Sequence, residues 1–95
     1  MTTIIPTTPE HILIWQQHFS IYDWAVDCDH RKMKKSDYGK LTDYGWEIDH
    51  IVPLALGGAD TLANKRPRHW RGNRAAGSSI NALANALAGK KTGLF

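Results

Sequence analysis

Asp49 and His50 stand side by side in the stretch WEIDHIVP, with Asn73 further along the chain. An imidazole, a carboxylate and an amide oxygen are the parts that phosphodiester hydrolysis needs near neutral pH. The reaction requires a deprotonated water, shielding of the charge that builds on phosphorus, and relief for the departing oxygen. Histidine suits the first task because its unperturbed pKa of about 6.5 leaves much of it neutral and able to take a proton. His50 is therefore the candidate general base. A carboxylate and an amide oxygen are hard donors of the kind Mg²⁺ or Mn²⁺ prefers, with other coordination positions left to water and phosphate. Asp49 and Asn73 fit that task, and Asn73 equally suits a cap near the start of a helix.

The elements that position these groups can be read from pattern. Trp46 and Ile48 alternate with Glu47 and Asp49, which predicts a strand. Successive strand residues point to opposite faces, so Asp49 and His50 share a site only where the strand ends and the backbone turns. Pro53, which cannot donate to a ladder, is consistent with that turn. A loop with Gly57-Gly58 at its centre leads to a returning strand over 65–70, despite Pro67, so the pair forms a long-looped hairpin. Gly72 to Ala76 reads as a helix entry. Gly77-Ser78-Ser79 either interrupts that helix or separates it from a second apolar stripe at Ile80, Leu83, Ala84 and Leu87, which Gly89 closes. Residues 90–95 are expected to form a loose tail.

Upstream, Thr8 is placed to cap a helix that Pro9 begins, with Ile12, Trp15 and Phe19 as its apolar stripe and an end near Ser20. Ile21 to Cys28 fits a short strand or extended segment, and the basic stretch from His30 to Gly39 leads into a turn-rich connection.

Residues 46–77 resemble the HNH nuclease family, on Asp49-His50 at the end of the first strand, Gly57-Gly58 in the loop, Asn64 before the second strand and Asn73 in the helix. The likeness continues upstream through Cys28 and Tyr38-Gly39 to Tyr44-Gly45-Trp46. It implies an α+β fold: a small ββα-metal core at about 44–77, a long-looped β-hairpin plus helix, flanked by N-terminal and C-terminal helices. It also implies one divalent cation and a DNA substrate. Asn64 matches the family's middle asparagine, whose amide would pin the loop and orient His50; a turn-stabilising role is compatible with that. The family's second strand usually carries leucines where this chain has Lys65 and Arg68. Gly72 stands where zinc-braced relatives carry a cysteine, so no structural zinc is expected.

Composition bounds the rest. At 95 residues the chain is expected to be one domain, 1–95, and its single cysteine, Cys28, excludes an internal disulfide and paired-cysteine zinc clips. No apolar run is long enough to span a membrane, and the opening MTTIIPTTPE lacks the pattern of a secretory signal. The expected location is the cytoplasm of a bacterial or phage-infected cell. The net charge is only +3, but Lys65, Arg66, Arg68, Arg71 and Arg74 fall within ten residues that hold no acid. Such a cluster suits either phosphate contacts on DNA or a solvated basic face.

His69 is read as a supporting residue beside Trp70, and His11 and His18 as surface histidines. His30, amid Asp27, Asp29 and Arg31, has the residue types for a second metal site, although its spacing does not demand one. The leading expectation is a metal-dependent DNA endonuclease, with a homodimer or an accessory protein as possible partner. The rival expectations are a catalytically weak DNA-binding accessory module of the same fold and a toxin nuclease domain.

Overall fold

The computed structural model describes residues 7–91. It shows a small α+β protein with two helices and two two-stranded antiparallel sheets. Helix α1 spans Glu10–Phe19, with Pro9 rather than Thr8 as its N-cap residue and no side-chain cap. The carbonyl of Pro9 accepts from the N–H groups of Ile12 and Leu13. The helix stops where Ser20 adopts a φ of 55°, a left-handed conformation that cannot continue a right-handed helix.

Strands β1 (Trp24–Val26) and β2 (Lys32–Lys34) form a hairpin with Ala25 opposite Met33. The second of these strands lies in the basic stretch from His30 to Gly39, where the sequence pattern predicts no strand. Lys-Met-Lys is too short for its alternation to stand out, yet it puts Met33 inward, fully buried, and both lysines outward. Strand β3 (Trp46–His50) pairs with β4 (Lys65–His69) in a register that sets Asp49 opposite Arg66 and His50 opposite Lys65. Trp70, assigned to the strand from sequence, is instead the first residue of helix α2 (Trp70–Lys91).

Gly77-Ser78-Ser79 does not break α2, and Gly89 does not end it. The helix runs through both, and Ser79 satisfies its hydroxyl by donating to the Ala75 carbonyl at 3.2 Å. The apolar stripe along its second half is not covered either: Leu83 and Leu87 are exposed. The expected loose tail overlaps the helix at Lys90 and Lys91, and its last four positions lie outside the described residues. So do residues 1–6, on which most of the reading of the N-terminal segment rests.

The core is small. Trp15, Met33 and Trp46 pack together, fully buried, with Phe19 and Ala25 against them. Each large apolar side chain removed from water in this way contributes roughly 2–3 kcal/mol. The polar ends of both indoles are satisfied: Trp15 Nε1 donates to the Tyr22 carbonyl at 2.7 Å and Trp46 Nε1 to that of Lys35 at 3.2 Å. Alternation then divides the β3–β4 hairpin. Trp46, His69, Pro67 and Lys65 share one face, where Trp46 meets Trp15 of α1, while Glu47, Asp49, Arg66 and Arg68 share the other. On that second face, Glu47 accepts from both Asn73 and Arg74 of α2. No helix among the described residues is long and apolar enough to cross a membrane.

Candidate active site

Asp49, His50 and Asn73 line a single open groove of about 400 Å³, bounded by the end of β3, the Pro53–Ala55 turn and the first three turns of α2. Asp49 and His50 occupy the last two positions of β3, so their side chains leave opposite faces of the ladder. Both border the groove because the strand terminates at His50. There the Ile51 N–H donates to the Asn64 carbonyl at 2.8 Å and the chain bends away.

Asn64 fixes that bend from three sides. Its Oδ1 accepts from the Val52 N–H at 2.9 Å, and its Nδ2 donates to the carbonyls of Val52 at 2.9 Å and Ala59 at 2.7 Å. One amide thus clamps the two ends of the loop and fixes the backbone directly after His50. The loop's glycines have a steric basis. Gly57 has a φ of 92°, and a side chain on Gly58 would lie 1.8 Å from the Val52 carbonyl oxygen.

His50 is held by a residue that sequence reasoning misses. Its Nε2 lies 2.9 Å from Asp60 Oδ1. An ionised carboxylate only accepts, so Nε2 carries a proton, and in the neutral ring Nδ1 is then the nitrogen with the free lone pair. The imidazole and the Lys65 ammonium beside Asp60 hold its carboxyl below the usual aspartate range. Lys65 in turn bridges Asp60, at 3.1 Å, and Glu10 of α1. A chain of polar contacts therefore runs from Glu10 of α1 through Lys65 and Asp60 to His50. Asp60 is an ordinary loop acid in the sequence; the one signal available is that it precedes the lysine paired across the ladder from His50.

The Asp49 side chain is only 12% exposed, and both of its ionic contacts fall on Oδ2, to Arg66 Nε at 2.8 Å and Arg68 at 3.6 Å. Asn73 donates from Nδ2 to Glu47 Oε1 at 3.2 Å, which commits the nitrogen end and leaves Oδ1 as the donor atom it can offer a cation. Arg74, and after it Asn73, hold the Glu47 carboxyl below its ordinary range against the opposing effect of burial. Among the described residues there is no group of three or more His, Cys, Asp or Glu arranged to hold a metal. Two oxygen donors on an open groove nonetheless fit a divalent cation that keeps several waters, the usual state of Mg²⁺.

The five cations of 65–74 do not form one free basic surface. Lys65 is buried against α1, away from Arg66 and Arg68 on the other face. Arg66 is engaged by Asp49, and Arg68 is held bidentately by Asp29 at 2.9 and 3.2 Å. Gly72 allows that pair to sit against the first turn of α2, since a side chain there would meet Asp29 Oδ2 at 2.4 Å. Only Arg71 and Arg74 have more than half of their side chains in solvent, each stacked near Trp70 and each with an acid, Asp43 and Glu47 respectively. The cations of this stretch are thus largely neutralised at short range by acids from elsewhere in the chain.

Three of the other histidines make contacts within the fold. His69 is buried; its Nε2 donates to the Asp43 carbonyl at 2.7 Å, and its Nδ1 accepts from the Arg71 N–H at 3.1 Å, so neither nitrogen is left for a ligand. His11 stacks on Tyr38 at 4.1 Å and His18 bonds to the Lys65 carbonyl at 2.8 Å, so both do more than face solvent. The acids near His30 are committed elsewhere, Asp27 to backbone N–H groups and Asp29 to Arg68, which removes the donors a second metal site there would use.

Compared with models of protein families, with curated proteins and with solved structures, the chain matches none.

Proposed function

We propose that this chain is a metal-dependent endonuclease of the HNH type that hydrolyses DNA phosphodiester bonds. One observation carries the reading: Asp49, His50 and Asn73 border the same groove while Asp60 holds the Nε2–H of His50. The strand–strand–helix order of β3, β4 and α2, with β3 and α2 lining that groove, supports the ββα-metal core.

His50 would take the proton of the attacking water on Nδ1, the nitrogen that Asp60 leaves unprotonated. Asn64 keeps the backbone after His50 in place. Asp49 and Asn73 would hold one Mg²⁺ or Mn²⁺ ion through oxygen. When bound, that ion would offset the charge on the phosphate and on the leaving oxygen. Arg71 and Arg74, the exposed members of the basic stretch, would contact flanking phosphates and position the strand without reading its bases. The structural-zinc variant of the fold has no place in this reading, because the chain carries a single cysteine.

A second reading, a DNA-binding module with weak catalysis, is favoured by one contact. Arg66 and Arg68 occupy the Oδ2 atom of Asp49 and compete with a cation for that carboxylate. The same assay separates the two. Supercoiled plasmid is incubated with the protein and Mg²⁺, Mn²⁺ or chelator, beside His50→Ala. The endonuclease reading expects metal-dependent nicking that falls about 10²- to 10⁴-fold in the variant. Equal nicking by His50→Ala overturns it, and plasmid binding without nicking selects the second reading.

A further inference from the structure

The outer face of the β1–β2 hairpin carries a cation–aromatic surface that the groove does not use. Trp24, Val26, Lys32 and Lys34 share this face, and both Trp24 and Val26 are exposed. The Lys32 ammonium lies 4.5 Å from the centre of the Trp24 ring and Lys34 5.4 Å from it. Tyr44, also exposed, sets its ring edge-on to Trp24 at 5.0 Å and 82°. Among the described residues neither lysine has a carboxylate within ion-pairing distance, in contrast to every cation of 65–74. The potential that the sequence concentrates in one basic stretch is thus largely cancelled there, while these two lysines remain free.

This face continues into the exposed end of the basic stretch. Trp70 Nε1 donates to the Thr42 carbonyl at 2.7 Å, His69 holds the Asp43 carbonyl, and the next residue is Tyr44 against Trp24. Consecutive residues advance at most about 3.8 Å, so the loop 42–44 links Trp70, Arg71 and Arg74 to Tyr44, Trp24 and Lys32 within a few residues. Flat aromatic faces interleaved with cations are the surface that a single strand of nucleic acid needs: bases stack on the rings and phosphates meet the charges. A polyacidic chain would supply charge but no flat partner for two exposed aromatic planes. The acids along the track are Asp23, which precedes Trp24, Asp43, whose carboxylate lies 3.7 Å from Arg71, and Glu47, which pairs with Arg74 at 2.9 Å.

The geometry points to this face as a binding surface for an unpaired nucleic-acid strand, with Trp24 and Tyr44 stacking on bases and Lys32 and Lys34 contacting phosphates. It deepens the nuclease reading and rests on it for the class of ligand. On binding, the lysines exchange their weak contact with the Trp24 ring for phosphate oxygens.

The test measures fluorescence anisotropy of a labelled short oligothymidylate with the full chain in chelator, so that binding is read without cleavage. Trp24→Ala is expected to weaken binding about tenfold. A double variant, Lys32→Gln with Lys34→Gln, alters only outward-facing side chains and keeps the fold. It is expected to weaken binding and to make the salt dependence shallower by about 1.4, at about 0.7 for each phosphate that is no longer neutralised. Unchanged affinity in both variants overturns the proposal. So does wild-type binding to duplex alone, absence of wild-type binding, or equal competition by polyglutamate, which would mark a general polyanion surface. Failure of the nuclease reading looks different: oligonucleotide binding remains sensitive to Trp24 and the lysines, but no metal produces His50-dependent nicking.

Discussion

In the proposed nuclease, the contact between His50 Nε2 and Asp60 would decide which imidazole nitrogen serves as the base, and Asp60 would then act as a positioning residue. On that reading Asp60→Ala is expected to lower kcat about 10- to 100-fold with little change in KM, the size of loss seen when the hydrogen-bond partner of a metal-bound histidine is removed. Asp60→Asn keeps an acceptor oxygen and should recover much of the activity; steady-state nicking kinetics of the two variants check this. Glu47 provides a second measurement at this scale. Its carboxyl lies below the ordinary glutamate value of 4.5, first because Arg74 bonds to it. A depressed folded-state pKa gives stability that is present above the unfolded value and is lost as pH falls through the folded one. Glu47→Gln should therefore be less stable than wild type at neutral pH, with the gap closing below pH 4.5, as read by urea denaturation at each pH. The types of Asp49, His50, Asn64 and Asn73 are legible in the sequence because their chemistry is specific. Asp60 is not, because which loop acid reaches an imidazole depends on how the loop folds back, set by the Asn64 clamp and Gly58; nor is Glu47's pairing, which depends on where the first turn of α2 lies across β3.

At the scale of elements, period and length decide what can be read. The alternation from Trp46 to Asp49 locates β3, and the stripe at Trp15 and Phe19 locates α1, since each extends over enough residues to show its period. Three-residue strands do not, so β2 stays hidden inside a basic connection. Gly77-Ser78-Ser79 misleads in the other direction. Glycine lowers helix propensity by about 1 kcal/mol relative to alanine, a cost that a long helix anchored on β3, β4 and the 54–56 turn can absorb. That gives a direct test. A side chain built on Gly77 meets nothing within 4 Å, and its backbone is helical. Gly77→Ala should stabilise the protein by about 0.5–1 kcal/mol, seen as a higher urea midpoint with an unchanged m-value. A lower midpoint would mean that α2 depends on a bend at this glycine.

Across the whole molecule, the small apolar core is supplemented by polar groups that tie distant segments together. Asp27 is buried, and its carboxylate accepts three backbone N–H groups: Oδ1 from Asp29 at 2.8 Å and Arg31 at 2.9 Å, Oδ2 from His69 at 2.9 Å. The first two close the turn of the β1–β2 hairpin, and the third joins that hairpin to the end of β4, where α2 begins. Arg68 with Asp29 crosses the same junction at the surface. Asp27→Ala would leave these donors without their acceptor, the His69 N–H in a buried position. A hydrogen bond to a charged group contributes about 1.5–3 kcal/mol, and an orphaned buried donor costs a comparable amount. The expected destabilisation is about 3 kcal/mol or more, a large part of the roughly 5–15 kcal/mol typical of whole domains. Thermal and urea unfolding measure it directly. Asp27→Asn separates charge from geometry: its one remaining oxygen can serve the turn or His69 but not both, so it should fall between wild type and alanine. If both variants unfold like wild type, the two hairpins are held together by the Trp15–Met33–Trp46 contact and the Arg68–Asp29 pair, and the position of α2 relative to the β1–β2 hairpin does not depend on Asp27.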